Sequence, residues 1–392
     1  MKLARRSNIN PSLTLAMNAR AKQMKAQGID VISFAAGEPD FPTPQHVKEA
    51  GKKAIDDNKT YYTPESGIPE LKDAVRQKLK TENGLEYGVD QISINSGAKH
   101  SVFNALAVLL EEGDEVIIPA PYWVSYPEMV KISGGIPVFI HTSKETGFKI
   151  SRDDLKKAIT RRTKAIILNS PCNPTGAVYT GEELYALADL IEGIDMVIIS
   201  DEVYEKIIYR GEHVSIATYS NEIKEKTIVV NGLSKTFSMT GWRIGYTAGP
   251  KAIIEAINRL QGHSSGNPTS ISQYAGLMAL KTPASFLDGW IGEFRKRKDY
   301  ILGELNSIDG VTCTDPAGAF YVFPDVSGLY GRRYGEKRIE DSVELSYYLL
   351  EKGRIAVVPG KAFGADNHIR LSFATSMKNI VEGMRRLKKV LA

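Results

Sequence analysis

Lys235 closes a small-residue turn, GLSK, that directly follows the apolar run KTIVVN (226–231). A lysine at the end of a buried strand is poorly solvated yet within reach of a ligand. Such a site depresses the amine pKa and makes it a nucleophile toward a carbonyl. Arg243, eight residues on, offers a fixed fork for a phosphate. On spacing alone, the pair could equally cap a turn and form a surface ion pair. Asp201 ends a second apolar run, MVIISD (196–201), an expensive place for a carboxylate without a partner. A cationic partner would suit it, and Tyr204 follows three residues later. Taken singly, Asp201 reads as a helix N-cap and Tyr204 as a core tyrosine.

Other segments carry the same kind of signal. SPCNPTG (170–176) holds Asn173 between Pro171 and Pro174, which restrict the backbone at a strand end. In NSGAKH (95–100), Gly97, Ala98 and Lys99 open a helix, and free backbone N–H groups there suit a phosphate. APYWVSY (120–126) supplies Trp123, otherwise an ordinary core tryptophan. NHIRLSFATS (367–376) places Arg370 inside a strand-like run, where a buried guanidinium demands an anion.

The elements that must position these residues are legible as periodicity. Short apolar runs at 91–96, 114–119, 136–141, 164–170, 196–201, 226–231 and 244–249 read as strands. Helix candidates lie at 99–110, 123–132, 151–159, 180–191, 251–260 and 270–280. Ser151 with Asp154, and Thr180 with Glu183, are N-caps with an acidic first turn. Val- and Ile-rich strands alternating with helices imply an α/β fold with a largely parallel sheet covered on both faces. Such sheets bind ligands beyond the C-terminal ends of their strands, where Asn169, Asn173, Asp201, Tyr204 and Lys235 fall. The C-terminal part reads as a smaller α/β unit, with helices at 287–305, 339–351 and from 378. Its strand candidates are 318–324, 354–359 and 368–374. A large domain over 46–284 and a small one over 285–392 are expected, with segment 1–45 packing on the latter and making it discontinuous.

The chain has 392 residues, 42% hydrophobic and 24% charged, a globular balance too long for one ordinary core. The formal charge of +4 is interleaved, with no nucleic-acid-binding arm. No apolar run is long enough for a membrane span or signal segment. Cys172 and Cys313 are the two cysteines, too few for a metal knuckle or disulfide scaffold, and no metal site is expected. A cytoplasmic protein is the expected reading.

Together these segments resemble class I and II aminotransferases, the fold-type-I pyridoxal-phosphate enzymes. The long match NGLSKTFSMTGWRIG (231–245) carries Gly232, Leu233, Ser234, Lys235, Ser238, Arg243 and Gly245 of the family's lysine-attachment pattern. The resemblance implies that Lys235 forms the Schiff base with pyridoxal 5'-phosphate and Arg243 holds its phosphate. Many relatives have a serine where Gly232 stands, and Ser234 is the hydroxyl at hand. Gly97, Ala98 and Lys99 would border the phosphate, Trp123 stack on the ring, and Asn173 and Tyr204 reach its phenolic oxygen. Asp201 would keep the ring nitrogen protonated. TYYTPESGIPELKDAV (60–75) resembles an inter-subunit loop whose Tyr62 reaches the neighbouring site, implying a homodimer. Arg370 would grip the substrate α-carboxylate, and Gly37 of AAGEPDF (35–41) belong to a substrate-side loop. The motifs span Gly37 to Arg370 in family order.

By the same resemblance Lys235 shuttles the α-proton, and amino-acid and 2-oxo-acid substrates exchange an amino group in a ping-pong cycle. The bacterial aspartate aminotransferase subgroup is the nearest pattern, through PYWVSYPEMV and NPTGAVY. In it a lysine beside the phosphate turn, here Lys99, pairs with the distal carboxylate, and Ser12 and Thr14 belong to the same pocket. Prephenate-accepting members tend to carry a basic residue where Asn10 stands. A broad aromatic or alanine aminotransferase would keep every cofactor residue. A regulator's sensor domain would need an N-terminal helix-turn-helix, and fold alone does not exclude a decarboxylase or carbon–sulfur lyase.

Overall fold

The computed structural model describes residues 7, 9–335 and 337–392, leaving aside the side chains of 284 and 337. The chain enters through helix Leu13–Ala26, whose N-cap Ser12 accepts from the Leu15 N–H. Met17, Ala21 and Met24 on this helix share a core with Ala356, Val358 and Phe363 near the other end of the chain. Strand β1 (Ile32–Ser33) pairs in parallel with residues 355 and 356.

Seven strands then build the central sheet: β2 (Ile92–Asn95), β3 (Glu115–Ala120), β4 (Ile136–His141), β5 (Thr163–Asn169), β6 (Val197–Asp201), β7 (Thr227–Gly232) and β8 (Gly245–Ala248). Their order is β2-β8-β7-β6-β5-β3-β4. β4, β3, β5, β6 and β7 run parallel. β8 is antiparallel to both neighbours, which periodicity does not reveal. The segment joining it to β7 holds the four-residue helix Leu233–Thr236, too short to carry the chain back along the sheet as a parallel crossover requires.

Both faces are covered, as the unbroken apolar runs imply. Ala165 and Ile167 of β5 pack with Ile254 and Ile257 of helix Lys251–Ser264 on one face. Ile166 and Leu168 pack with Leu184 and Leu187 of helix Gly181–Ile191 on the other. Ser151 and Thr180 form capping boxes with Asp154 and Glu183, so these helices start where their spacing says. The helix expected from Trp123 begins only at Tyr126, which leaves Trp123 on a turn.

In the C-terminal part, helix Asp288–Asn306 precedes β9 (Tyr321–Val322), the hairpin β10 (Arg333–Tyr334) and β11 (Lys337–Arg338), and helix Ser342–Glu351. β12 (Ile355–Ala356), β13 (Val358–Pro359), β14 (Ile369–Ser372) and helix Met377–Leu391 follow. The run at 354–359 is two strands, because β12 pairs with β1 while β13 joins the antiparallel sheet β13-β14-β9. Among the described residues no helix is long and apolar enough to cross a membrane. Cys172 and Cys313 are free thiols.

Candidate active site

A cavity of about 470 Å3 opens at the C-terminal ends of β5, β6 and β7, where it also meets Arg370 of β14. Lys235, on the short helix after β7, lies in it. Its Nζ donates to the Gly37 carbonyl at 2.5 Å and sits 5.9 Å from the centre of the Tyr204 ring. Burial brings its pKa down to about 8; the Glu38 and Asp201 carboxylates resist the fall, while Arg370 and Arg243 add to it. At pH 7 roughly a tenth of this side chain is free amine, against under a thousandth for an ordinary lysine.

Asp201 is 4% exposed. Tyr126 donates to its Oδ2 at 2.6 Å and the Val203 N–H to Oδ1 at 3.3 Å. Burial raises this carboxyl to about 6, while both hydrogen bonds pull the other way. It is therefore an anion at neutral pH, aimed into a cavity that needs a cation beside it. Asn169 ties two strand ends together: its Nδ2 donates to the Asp201 carbonyl at 3.0 Å, and its Oδ1 accepts from the Asn173 N–H at 2.9 Å.

Gly97, at φ +89°, turns β2 into helix Ala98–Leu109. A Cβ there would stand 2.4 Å from Arg243 Nη2, so glycine is what lets the guanidinium approach the helix start. Arg243 donates to the carbonyls of Ser96 at 3.1 Å and Thr240 at 2.8 Å. The Ala98 and Lys99 N–H groups, in the first turn, have no intrahelical acceptor. With the helix dipole and Arg243 they make a corner for a phosphate, which Ser234 also borders. Gly232 lies flat against β8: a Cβ would stand 3.1 Å from both Gly245 Cα and the Ile244 carbonyl.

Arg370 is 2% exposed. Its Nη1 donates to Asn173 Oδ1 and its Nη2 to the Ala35 carbonyl, both at 2.9 Å. Its carbon lies 4.5 Å from the Tyr321 ring centre and 5.1 Å from that of Phe363. Its buried Nε has no partner among the described residues. Tyr204 and Tyr321 share a hydrogen bond at 2.7 Å between their hydroxyls. Lys99 Nζ lies 4.9 Å from the centre of the Trp123 ring. Burial lowers its pKa and nearby Arg243 lowers it further.

Gly37, Ala98, Lys99, Trp123, Asn173, Asp201, Tyr204, Ser234, Lys235, Arg243, Arg370 and Thr14 thus meet at one cavity. Gly97 supports it from behind Arg243. Thr14 Oγ1 is buried without a partner. Ser12 departs from expectation: it caps its helix and lines a neighbouring cavity with Asn10 and Glu128. Tyr62 is 97% exposed, away from its own chain's cavity. Tyr126, Tyr321, Thr240 and Glu38 also line the site and escaped sequence reasoning. Tyr126 stands three residues from Trp123 on the same segment, yet aromatic spacing alone does not separate a carboxylate's partner from core.

The arrangement is that of a lysine amine set between a phosphate corner and a buried carboxylate, as a phosphorylated pyridine aldehyde requires. Residues 29–387 match the family model for aminotransferases of class I and II. The chain is similar to an aspartate aminotransferase of Bacillus subtilis (strain 168), with 47% identity covering 99% of this chain and 98% of that one. A probable aspartate/prephenate aminotransferase of Aquifex aeolicus (strain VF5) is also 47% identical, with the same coverage of both chains. Among solved structures, the aspartate aminotransferase from Thermus thermophilus with maleate superposes with a TM-score of 0.94 at 43% identity, each chain covered in full. The chain belongs to the class I and II aminotransferases, an α/β fold-type-I family of pyridoxal-phosphate-dependent transferases.

Proposed function

We propose that this aminotransferase moves the amino group of L-aspartate to 2-oxoglutarate, giving oxaloacetate and L-glutamate. The observation that carries the choice is that Arg370 and Lys99 line one cavity with Lys235 and neither forms an ion pair with a carboxylate among the described residues. Arg243 and Lys235 line the same cavity without a carboxylate partner; with these two given to the phosphate and the aldehyde, Lys99 and Arg370 remain and fit a substrate with two carboxylates. Relatives named aspartate aminotransferase, and the maleate bound to the Thermus thermophilus structure, support this reading.

Pyridoxal phosphate, when bound, supplies an aldehyde for the amine and a ring that delocalises the carbanion. The rest is the work of this chain. The corner of Ala98, Lys99, Ser234 and Arg243 would hold its phosphate, and Asp201 would keep its ring nitrogen protonated. Asn173 and Tyr204 would hold its phenolic oxygen, and Trp123 would stack on its ring. Arg370 would fix the α-carboxylate, leaving Lys235 Nζ to take the Cα proton and deliver it to the carbon that had carried the cofactor's aldehyde oxygen, a 1,3-shift of the proton. Lys99, with Thr14 nearby, takes the side-chain carboxylate. The amino acid leaves as its 2-oxo acid before the second oxo acid enters, a ping-pong order. The reading includes a homodimer in which exposed Tyr62 serves the neighbouring site, a cytoplasmic location, a large domain at 46–284, and a small domain at 285–392 with which segment 1–45 packs.

Lys99→Ala tests it. kcat/KM for aspartate falls roughly 30- to 100-fold, the worth of a charged hydrogen bond, while alanine is hardly affected. An equal loss for both would assign Lys99 to the cofactor instead. The aspartate/prephenate names among the relatives favour one addition. Prephenate turnover in the same assay would extend the reading. Asn10, held by Glu128 at 3.0 and 3.1 Å, lines the neighbouring cavity instead.

A further inference from the structure

The turn after β6 has two faces. Asp201 and Tyr204 look into the active-site cavity. Glu202 and Glu205, interleaved with them, are also buried, at 1% and 6% exposure, but on the reverse side. Glu202 accepts from Ser200 Oγ at 2.8 Å and Ser215 Oγ at 2.6 Å, and meets His213 Nε2 at 3.0 Å. Glu205 accepts from Asn83 Nδ2 at 2.8 Å and from Lys78 Nζ, both on helix Pro69–Asn83. Lys78 also donates to Asn83 Oδ1 at 2.7 Å.

Glu202, Glu205 and His213 bring ligand atoms within 4.8 Å of one another. The Lys78 ammonium stands beside them, ion-paired to Glu205. Burial would raise the Glu205 carboxyl, but Lys78, then His213 and Lys206, hold it down at about 2. A buried ion pair is a weak source of stability, because replacing both partners by apolar residues is often neutral or better. What this pair does provide is a fixed point one residue beyond Tyr204. The Glu205 N–H donates to the Glu202 carbonyl at 2.9 Å, and the Glu202 N–H to that of Val230 at 2.9 Å, so the turn is pinned at both ends. Lys78 and Glu205 also line a small cavity of about 30 Å3 with Gly232, Leu233 and Thr236, the reverse side of the helix that presents Lys235.

On the aminotransferase reading above, we propose that the Lys78–Glu205 pair is a positioning device. By anchoring the backbone one residue on, it sets where the Tyr204 phenol, bonded at its hydroxyl to Tyr321, stands toward the cavity that would hold pyridoxal phosphate. Lys78→Met combined with Glu205→Leu removes both charges and leaves neither buried alone. The expected variant melts within about 5 °C of wild type. It binds pyridoxal phosphate about tenfold more weakly, by equilibrium dialysis, and its bound cofactor absorbs at a shifted wavelength. In a Tyr204→Phe background the same double replacement changes affinity by less than about twofold, because the group it acts through is gone. Wild-type affinity and absorbance in the pair variant would overturn the proposal, as would an equal loss with and without the Tyr204 hydroxyl. Should the pair variant not fold, Asn83→Ala removes one bond to Glu205 and keeps both charges. It is expected to weaken binding only when Tyr204 is present, and equal weakening in both backgrounds overturns the proposal. Failure of the wild-type chain to bind pyridoxal phosphate would be a separate result, refuting the underlying reading.

Discussion

Tyr126→Phe isolates one hydrogen bond whose consequence can be worked through. Burial sets the Asp201 carboxyl at about 6, and Tyr126 is the largest influence holding it from rising further. The 2.6 Å bond to Oδ2 is charge-assisted, worth about 1.5–3 kcal/mol. At 1.36 kcal/mol per pKa unit, its loss raises Asp201 by about one to two units, to roughly 7 or 8. In the cofactor-free chain the ionised share at pH 7 then falls from about nine-tenths to about half or less. A protonated ring nitrogen beside Asp201 would lower the carboxyl in wild type and variant alike, so the acid limb of kcat moves up by the same one to two units. At pH 9 the variant approaches wild type. The assay is kcat against pH from 5 to 10, together with the Asp201 carboxyl stretch in the cofactor-free chain, identified against Asp201→Asn. An acid limb that stays put in a folded variant would refute the link from Tyr126 to Asp201.

Four further outcomes follow from the same geometry. In the cofactor-free protein Asp201 binds its proton more tightly folded than unfolded, so its contribution is full below about pH 4 and lost as pH rises through about 6. Asp201→Asn should therefore stabilise that form at pH 8 by up to about 3 kcal/mol in denaturant titrations, and no gain would contradict the raised pKa. Lys235→Met abolishes turnover while raising the melting temperature of the cofactor-free chain at pH 7, because the folded state resists protonating that lysine. Arg370→Lys keeps a charge but loses the fork to Asn173 and Ala35, so KM rises roughly 10- to 100-fold for every amino acid alike. Gly97→Ala combines a strained φ with a clash on Arg243 and costs about 1–3 kcal/mol, read as weaker binding of pyridoxal phosphate.

The parts of this molecule legible in its sequence are those set by local periodicity and short-range chemistry. Strands β4 and β5 and the capping boxes at Ser151 and Thr180 fall within a residue of where spacing places them. The polar ends of β5, β6 and β7 do share one cavity. Long-range pairing was less visible. The antiparallel sense of β8 depends on what lies between it and β7, and the split of 354–359 between two sheets depends on partners far off in sequence. Tyr126 and Tyr321 are aromatic residues in apolar surroundings, and only three-dimensional contact with Asp201 and Tyr204 separates them from core. Lys78 and Glu205 are 127 residues apart, on a helix and a turn whose meeting no local pattern announces.

The most direct test of the central claim is single-turnover conversion of aspartate, glutamate, alanine and phenylalanine by the enzyme loaded with pyridoxal phosphate. Cofactor absorbance is followed at matched concentrations. If Lys99 and Arg370 hold the two ends of the substrate, aspartate and glutamate react roughly 30- to 100-fold faster than the other two. Equal or faster conversion of alanine or phenylalanine would contradict the dicarboxylate assignment while leaving Lys235 and its chemistry in place.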